Sequence, residues 1–210
     1  AAIAAGRFAQ EIAPIAIEGR KGEQVLFAAD EHPRAGATLE GLRKLPLVFP
    51  EIEGQKGIIT AGSSSGITDG GAAVVLAGAA AVTARGLTPM ARVIGWATAG
   101  VDPRIMGIGP VPAIRALLEK TGLSMDDFDL VELNEAFAPQ VLAVLRDVPI
   151  APERLNVNGG AIALGHPIGA TGSRILVTLL HEMTRRGAKR GLATLCVSGG
   201  LGMALAVERA

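Results

Sequence analysis

Stretches of apolar residues alternate between strand-like and helix-like patterns in the second half of the chain. Apolar runs at residues 91–99, 128–133, 192–197 and 203–207 have the length and composition of buried strands. Between them, apolar side chains recur at helical spacing over residues 111–121, 135–146 and 173–186, and Gly122 and Gly187 follow two of these segments. Strands that alternate with helices predict an α/β fold with layers of helix over sheet.

The same pattern assigns individual side chains to the core. The inward positions predicted for the three helices are Ile114, Leu117 and Leu118; Phe137, Val141, Leu142 and Leu145; and Ile175, Leu176, Leu179, Leu180 and Met183. Trp96, in the first strand of this half, is most simply a core residue.

The first part of the chain has less regular patterning. Residues 1–10 resemble the end of a helix, 11–18 alternate as an edge strand would, and 57–60 form a short apolar strand. Charged and turn residues fill the segments between them, which is typical of a loop-rich excursion. Residues 72–77 predict a buried strand and 79–85 a short helix that ends at Gly86. The pattern of apolar and polar residues becomes more regular from Pro89, where we expect a domain boundary.

Composition and charge argue against several classes of function. The 210 residues carry 20 basic and 20 acidic side chains, so no net field would attract nucleic acid or an anionic membrane. The most apolar run, residues 71–84, is too short to span a bilayer, and the opening A-A-I-A-A-G-R-F has no features of a secretory signal. A single cysteine excludes an internal disulfide and suits a reducing compartment, so we expect a cytoplasmic location.

A glycine-rich stretch surrounds one histidine. The sequence N-V-N-G-G-A-I-A-L-G-H-P-I-G-A-T (156–171) interleaves glycines with apolar residues, which predicts a tightly folded loop that fixes His166. The lone Cys196 ends an apolar run thirty residues later, and Asn134 lies at the exit of the 128–133 strand. A thiol, a base and an amide at strand ends of a layered α/β fold are the components of acyl transfer or proton abstraction.

Each of these residues also has a structural interpretation. A lone cysteine is usually a buried small hydrophobic residue, a loop histidine can be simply hydrogen-bonded, and Asn134 could be a helix N-cap. Glu135 would more simply complement a helix N-terminus than take part in chemistry. His32 has no second histidine or cysteine nearby, so no metal site is expected, and G-S-S-S-G (62–66) lacks the lysine of a nucleotide-binding P-loop.

Long motifs in a fixed order resemble the thiolases, the acetyl-CoA C-acyltransferases. They are N-E-A-F-A (134–138), the glycine loop through Gly172, L-C-V-S-G-G-L-G-M-A-L (195–205), G-R-K-G (19–22), D-E-H-P-R-A-G-A-T-L (30–39), T-A-G-S-S-S-G-I-T-D-G (60–70) and W-A-T-A-G-V-D-P-R-I-M-G-I-G-P (96–110). The resemblance covers essentially the whole chain. It implies a thiolase-like layered α/β/α architecture with a mixed sheet, and chemistry on acyl-CoA, acetyl-CoA and coenzyme A with no metal and no separate cofactor.

The resemblance also implies roles for single residues. His166 would activate the acyl-accepting cysteine, and Cys196 would be the acid/base cysteine that exchanges a proton with the acetyl-CoA methyl group. Asn134 would hold a water that forms an oxyanion hole with His166, and the backbone N–H of Ser198, where the family often has glycine, would belong to a second hole. The resemblance further implies that Arg34 and Ser65 contact coenzyme A. It implies that Met106 and Phe137 form the wall around the acyl group and pantetheine.

One departure from the family pattern limits what the chain can do. The acyl-accepting cysteine of thiolases lies in an N-terminal segment that this sequence does not contain, so we expect a C-terminal portion of a thiolase that has no turnover alone. Residues 1–67 would be part of the inserted loop domain, 68–88 the return into a largely missing N-terminal domain, and 89–210 the C-terminal domain. An organelle address in a preceding segment would be compatible with this interpretation.

Two alternatives remain open at this point. A lipid-transfer-associated or condensing-type relative would keep the fold but alter N-E-A-F or the final cysteine, and both are intact here. A non-catalytic coenzyme A-binding or assembly subunit that needs a partner chain would require neither Cys196 nor His166. Related thiolases imply a homodimer or homotetramer.

Overall fold

A four-stranded mixed sheet is the centre of the computed structural model, which describes residues 1–20 and 22–210. The strands are β5 (Ala91–Gly100), β6 (Leu130–Leu133), β7 (Arg190–Val197) and β8 (Leu201–Arg209), in the spatial order β5-β8-β7-β6. β6 and β7 are parallel, and the other two pairs are antiparallel. The sequence predicted all four strands, with bounds that differ by a few residues. Lys21 of the G-R-K-G motif lies outside the described residues.

Helices cover both faces of this sheet. Helices α3 (Pro110–Thr121) and α4 (Ala138–Asp147) pack on one face, where Ile114, Leu117 and Val144 meet Leu133 and Leu192. Helix α6 (Thr171–Arg186) packs on the other face, with Ile175, Leu179 and Met183 against Leu130 and Ala193. Neighbouring strand residues therefore enter opposite cores, as the two-residue period of a strand requires. The predicted α/β/α layering with a mixed sheet is confirmed.

The parallel pairing of β6 and β7 positions the chemistry. Leu130 is opposite Gly191 and Leu133 is opposite Thr194, so both strands end at the same edge of the sheet. Asn134 follows β6, and its N–H donates to the carbonyl of Thr194 at 3.0 Å. Cys196 lies two residues beyond Thr194, and the following turn at residues 198–200 connects β7 to β8.

Small elements make up the first part of the chain. They are the hairpin β1 (Ile15–Glu18) and β2 (Gln24–Phe27), the hairpin β3 (Glu51–Ile52) and β4 (Gln55–Lys56), and the helices α1 (Leu39–Arg43) and α2 (Ala79–Arg85). A four-residue helix α5 (Ala161–Leu164) lies in the glycine loop, and 3₁₀ turns occur at Ala61–Ser63, Pro103–Ile108 and Met125–Asp127. Residues 1–10 form turns rather than a helix end, and residues 57–60 contribute a single bridge, Leu47 to Thr60.

Four predicted burials are wrong, and one of them is Phe137, which is 37% exposed. Residues 72–77 form no strand, and Val75 is 94% exposed, because no described strand supplies the backbone hydrogen bonds that such a run needs. Trp96 is 55% exposed on β5, where the Lys120 ammonium lies 4.4 Å from its ring centroid in a cation–π contact. Leu142 is 63% exposed, because the buried face of α4 is formed by Gln140, Val141 and Val144. Among the described residues, no helix is both long and apolar enough to span a membrane.

Candidate active site

Asn134 occupies a buried position just past the end of β6. Its side chain is 1% exposed, and its Nδ2 lies 3.5 Å from Nε2 of His166. Its Oδ1 is buried and has no hydrogen-bond partner among the described residues. The N-cap of α4 is Phe137 rather than Asn134, so the capping interpretation of Asn134 is wrong. An amide with a free buried oxygen fits the binding of a small polar group, such as the water implied for this residue.

His166 is fixed by the segments on either side of it. Its backbone N–H donates to Gly66 at 2.8 Å, and its Nδ1 lies 2.6 Å from the hydroxyl of Thr171. That hydroxyl donates its single proton to the carbonyl of Pro167 at 2.9 Å, so it accepts from Nδ1–H. The imidazole therefore has its proton on Nδ1 and its lone pair on Nε2, the atom that faces Asn134.

Burial, assisted by a neighbouring cation, keeps this imidazole neutral. Burial lowers the pKa of His166, and the nearby Arg174 guanidinium lowers it further. A neutral ring with an unprotonated Nε2 can act as a general base.

Cys196 has the opposite pKa shift. Its side chain is 5% exposed, and burial raises the pKa of the thiol, so the protonated form dominates at neutral pH. It lies opposite Gly202 in the β7–β8 hairpin. The adjacent turn contains Ser198, which is exposed, followed by Gly199 and Gly200, which have φ angles of 82° and 86°.

The G-S-S-S-G segment and the residue after it contact both the segment that follows Asn134 and the glycine loop that carries His166. Ser65 donates to the carbonyl of Ala136 from both its backbone N–H, at 3.0 Å, and its hydroxyl, at 3.2 Å. Ser64 forms a bridge with Phe137, and Ile67 forms one with His166. Ser65 and the half-exposed Phe137 are therefore neighbours of the Asn134–His166 pair.

Arg34 and Met106 are not part of this hydrogen-bonded group in the described part of the chain. Arg34 is exposed, and its segment approaches the site through His32, whose Nε2 lies 3.4 Å from the carbonyl of Ile162. Met106 is half-buried in the 3₁₀ turn Pro103–Ile108, which packs against α4.

Several residues that support the site had no role assigned from the sequence. Thr171 orients the His166 ring, and Arg174 lies one turn further along α6. Asn158 donates to Glu182 on α6 at 3.0 Å, which anchors the glycine loop. Burial would raise the pKa of Glu182, but hydrogen bonds from Arg185, Asn158 and Arg186 bring that pKa down to about 2. The signal for Thr171 was its place five residues after His166, at the start of a helix.

Family models match almost the whole chain. The model described as the C-terminal domain of thiolase matches residues 87–209, and the model described as the N-terminal domain of thiolase matches residues 1–80. The chain belongs to the thiolase family. The expectation that the N-terminal domain is largely missing is therefore partly wrong, because residues 1–80 match that domain's own model.

Curated relatives and solved structures extend this finding. This thiolase chain is 57% identical over 209 residues to an acetyl-CoA acetyltransferase of Paracoccus denitrificans, which covers 100% of the chain and 52% of the relative. It is 56% identical over 207 residues to a β-ketoadipyl-CoA thiolase of Pseudomonas aeruginosa, covering 98% and 50%. The Bacillus anthracis acetyl-CoA acetyltransferase structure superposes with a TM-score of 0.94 at 50% identity, covering 100% and 52%. The chain thus spans about half the length of the relatives it matches.

A further solved structure contains CoA. Human mitochondrial 3-ketoacyl-CoA thiolase in complex with CoA superposes with a TM-score of 0.87 at 46% identity, covering 100% of this chain and 51% of that chain. In the described part of the present chain, no group of three or more His, Cys, Asp or Glu side chains is arranged to hold a metal ion.

Proposed function

We propose that this chain supplies the acid/base half of a thiolase acyltransferase. The reaction would be the Claisen condensation of an acyl-CoA with acetyl-CoA, or the reverse thiolytic cleavage of a 3-oxoacyl-CoA. The observation that carries the proposal is the contact between Asn134 and Nε2 of His166 at the sheet edge where β7 brings Cys196. The chain spans about half the length of its relatives. The site, the activity and the coenzyme A substrates are therefore all part of the proposal.

His166 has two successive tasks in this proposal. Its unprotonated Nε2 accepts a proton from the thiol that will carry the acyl group, and that thiol belongs to a segment outside this sequence. Nε2 then becomes a hydrogen-bond donor. In that state it stabilises negative charge on a thioester oxygen together with a water held by Asn134. The Nδ1–Thr171 hydrogen bond supports both tasks, because it fixes the ring and leaves Nε2 facing the site beside Asn134.

Cys196 handles the carbon-bound proton. In condensation its thiolate takes a proton from the methyl group of acetyl-CoA, and the electron pair of that C–H bond becomes the carbanion that attacks the acyl group. In cleavage the thiol returns the proton to the departing acetyl-CoA carbanion. The raised pKa of Cys196 matches a group that must hold and release a proton to carbon. No cofactor is needed for either direction.

Exchange of the acetyl-CoA methyl protons with deuterated solvent tests this half of the reaction. It requires Cys196 and an oxyanion site in which Nε2 of His166 donates. Without the acyl-accepting thiol, the neutral ring supplies that N–H by moving its proton from Nδ1 to Nε2, and the Thr171 hydroxyl then donates to Nδ1. We therefore expect the 210-residue chain to catalyse the exchange, at a rate that rises with pH as Cys196 ionises. Cys196→Ala and His166→Ala should each lower the rate by about 100-fold or more. His181→Ala, at a half-buried histidine of α6 with no role in the proposed site, is the matched control and should keep the wild-type rate.

Two outcomes would contradict the proposal. An exchange rate equal to that of buffer, with coenzyme A still bound, would favour the non-catalytic binding-subunit alternative. Detectable thiolytic cleavage of a 3-oxoacyl-CoA by the chain alone would mean that Cys196 is not restricted to acid/base chemistry. Coenzyme A contacts at Arg34, Ser65, Met106 and Phe137, the Ser198 N–H donor, homo-oligomer assembly and a cytoplasmic location all stay predictions.

A further inference from the structure

The carboxylate of Glu135 bridges the two loops that carry Asn134 and His166. Its Oε2 accepts the backbone N–H of Ile162 at 3.1 Å, and its Oε1 accepts Nδ2–H of Asn156 at 3.3 Å. Ile162 lies four residues before His166, and Glu135 directly follows Asn134. One side chain is thus hydrogen-bonded to the glycine loop at two separate points.

Gly160 makes room for this carboxylate. A Cβ at residue 160 would overlap the carboxyl carbon and both oxygens of Glu135. Its neighbour Gly159 has a φ of 95°, a conformation that side chains disfavour. The two consecutive glycines therefore serve different purposes: one allows the turn, and the other admits the Glu135 side chain.

Asn156 connects the carboxylate to the end of β6. Its Oδ1 accepts the N–H of Leu133 at 2.9 Å, and its Nδ2 donates to the carbonyl of Leu133 at 2.8 Å, so the amide replaces a strand neighbour. Its backbone has a φ of 44°, which asparagine tolerates better than most residues. The chain of contacts runs from Leu133 through Asn156 and Glu135 to Ile162.

The contact between Asn134 and His166 is sensitive to small movements of the loops that carry these residues. The Asn134–His166 distance of 3.5 Å is at the long limit of hydrogen bonding, so a loop shift of a few tenths of an ångström would remove it. We propose that Glu135 is a positioning residue, whose two carboxylate oxygens set the separation of Asn134 and His166. Its importance for catalysis rests on the proposed function, but the positional effect does not.

The two hydrogen-bond partners of Glu135 require a carboxylate at residue 135. Both partners, the Ile162 N–H and the Asn156 Nδ2–H, are donors, and a carboxylate accepts from both. A glutamine amide has one acceptor oxygen and one donor nitrogen, so Glu135→Gln can satisfy only one of the two partners. Glu135→Ala loses both and leaves the space beside Gly160 unfilled.

The titration of the His166 ring, followed by NMR in the 210-residue chain, tests the proposal. Two opposite effects separate position from charge. Loss of the negative charge alone would lower the pKa of His166, whereas release of the loop would expose the ring and raise it. We expect Glu135→Ala to raise this pKa by about 0.5 pH unit and Glu135→Gln by less. Hydrogen exchange of the Ile162 amide should quicken in both variants.

Control variants complete the experiment. Glu119→Ala, an exposed acid on α3, should leave the titration of His166 unchanged. Asn156→Gly removes the amide clamp without a charge change or a backbone penalty, and it should also raise the pKa of His166. It keeps the test valid if Glu135→Ala does not fold.

Specific results would overturn the proposal. A pKa of His166 that falls or does not move in folded Glu135→Ala, Glu135→Gln and Asn156→Gly proteins would show that the network does not position the ring. A raised pKa without any acetyl-CoA exchange in the wild-type chain would instead preserve the positioning role and reject the proposed function.

Discussion

Burial shifts the pKa values of His166 and Cys196 in opposite directions. It lowers the pKa of the imidazole, because the cation is the charged form, and raises that of the thiol, because the thiolate is charged. Both groups are consequently uncharged at neutral pH. This is the state in which one residue can accept a proton while the other still holds one.

The reactivity of Cys196 with iodoacetamide should reflect this environment. Because only the thiolate reacts and burial raises the thiol pKa, we expect slow alkylation at pH 7 and a rate that keeps increasing above the pH at which an ordinary cysteine is fully ionised. The rate would be measured by mass spectrometry over a pH series. The urea-unfolded chain is the control, and an identical pH profile in folded and unfolded protein would contradict the burial argument.

Helix α6 connects the site with the core. Thr171 and Arg174 in its first turn act on His166, while Ile175, Leu179 and Met183 further along pack on the sheet. The position of the His166 ring therefore depends on how well this helix is packed.

A matched pair of leucine truncations tests the packing. Leu179 on α6 is 1% exposed, so Leu179→Ala should lower the free energy of unfolding by about 3 kcal/mol. Leu142 on α4 is largely exposed, and Leu142→Ala should change it by no more than about 0.5 kcal/mol. Urea denaturation measures both. Equal losses would contradict the arrangement of the helices described here.

The boundary of α4 shows how an element-scale prediction can be nearly correct and still misplace side chains. Helical spacing predicted a start at residue 135, but Asn134, Glu135 and Ala136 bond instead to His166, Asn156 and Ser65. Those long-range partners keep the segment extended, so the helix begins at Ala138. The apolar pattern records which residues are buried on average, and it does not record these polar contacts.

At the scale of the whole molecule, charged groups are gathered between the sheet and α6. Glu132 on β6 is 3% exposed, and burial raises its pKa to about 8 even though Arg174 opposes the shift. Glu11, from the first segment of the chain, accepts the hydroxyl of Thr178 on α6 at 3.3 Å, and burial raises its pKa as well. This cluster links the first segment to the C-terminal core.

Stability should therefore depend on pH through Glu132. A folded-state pKa of about 8, above the ordinary 4.5, means that the folded chain favours the neutral carboxyl. The contribution of Glu132 to the free energy of unfolding is at its maximum below about pH 4.5. It declines as the pH rises to about 8, with a slope of at most about 1.4 kcal/mol per pH unit. Urea unfolding at pH 5 and pH 8 should show this decline in the wild type.

Glu132→Gln is the informative variant for this effect. Glutamine is neutral at every pH, so the difference in stability between variant and wild type should shift in favour of the variant between pH 5 and pH 8. Asp126→Asn, at an exposed carboxyl, is the control. Parallel pH profiles for wild type and Glu132→Gln would show that Glu132 does not ionise in this range.

The apolar pattern by itself determined the four central strands, the three long helices and their layering, because two-residue and 3.6-residue periods report directly on which face is buried. Motif resemblance identified the family and drew attention to Asn134, His166 and Cys196. Only the tertiary structure decided that Trp96 and Leu142 face outward, that residues 72–77 remain unpaired among the described strands, and that Glu135 and Asn156 hold the loops together. Those outcomes depend on contacts between residues far apart in sequence, and a local pattern carries no information about which distant partner will complete a hydrogen bond or cover a side chain.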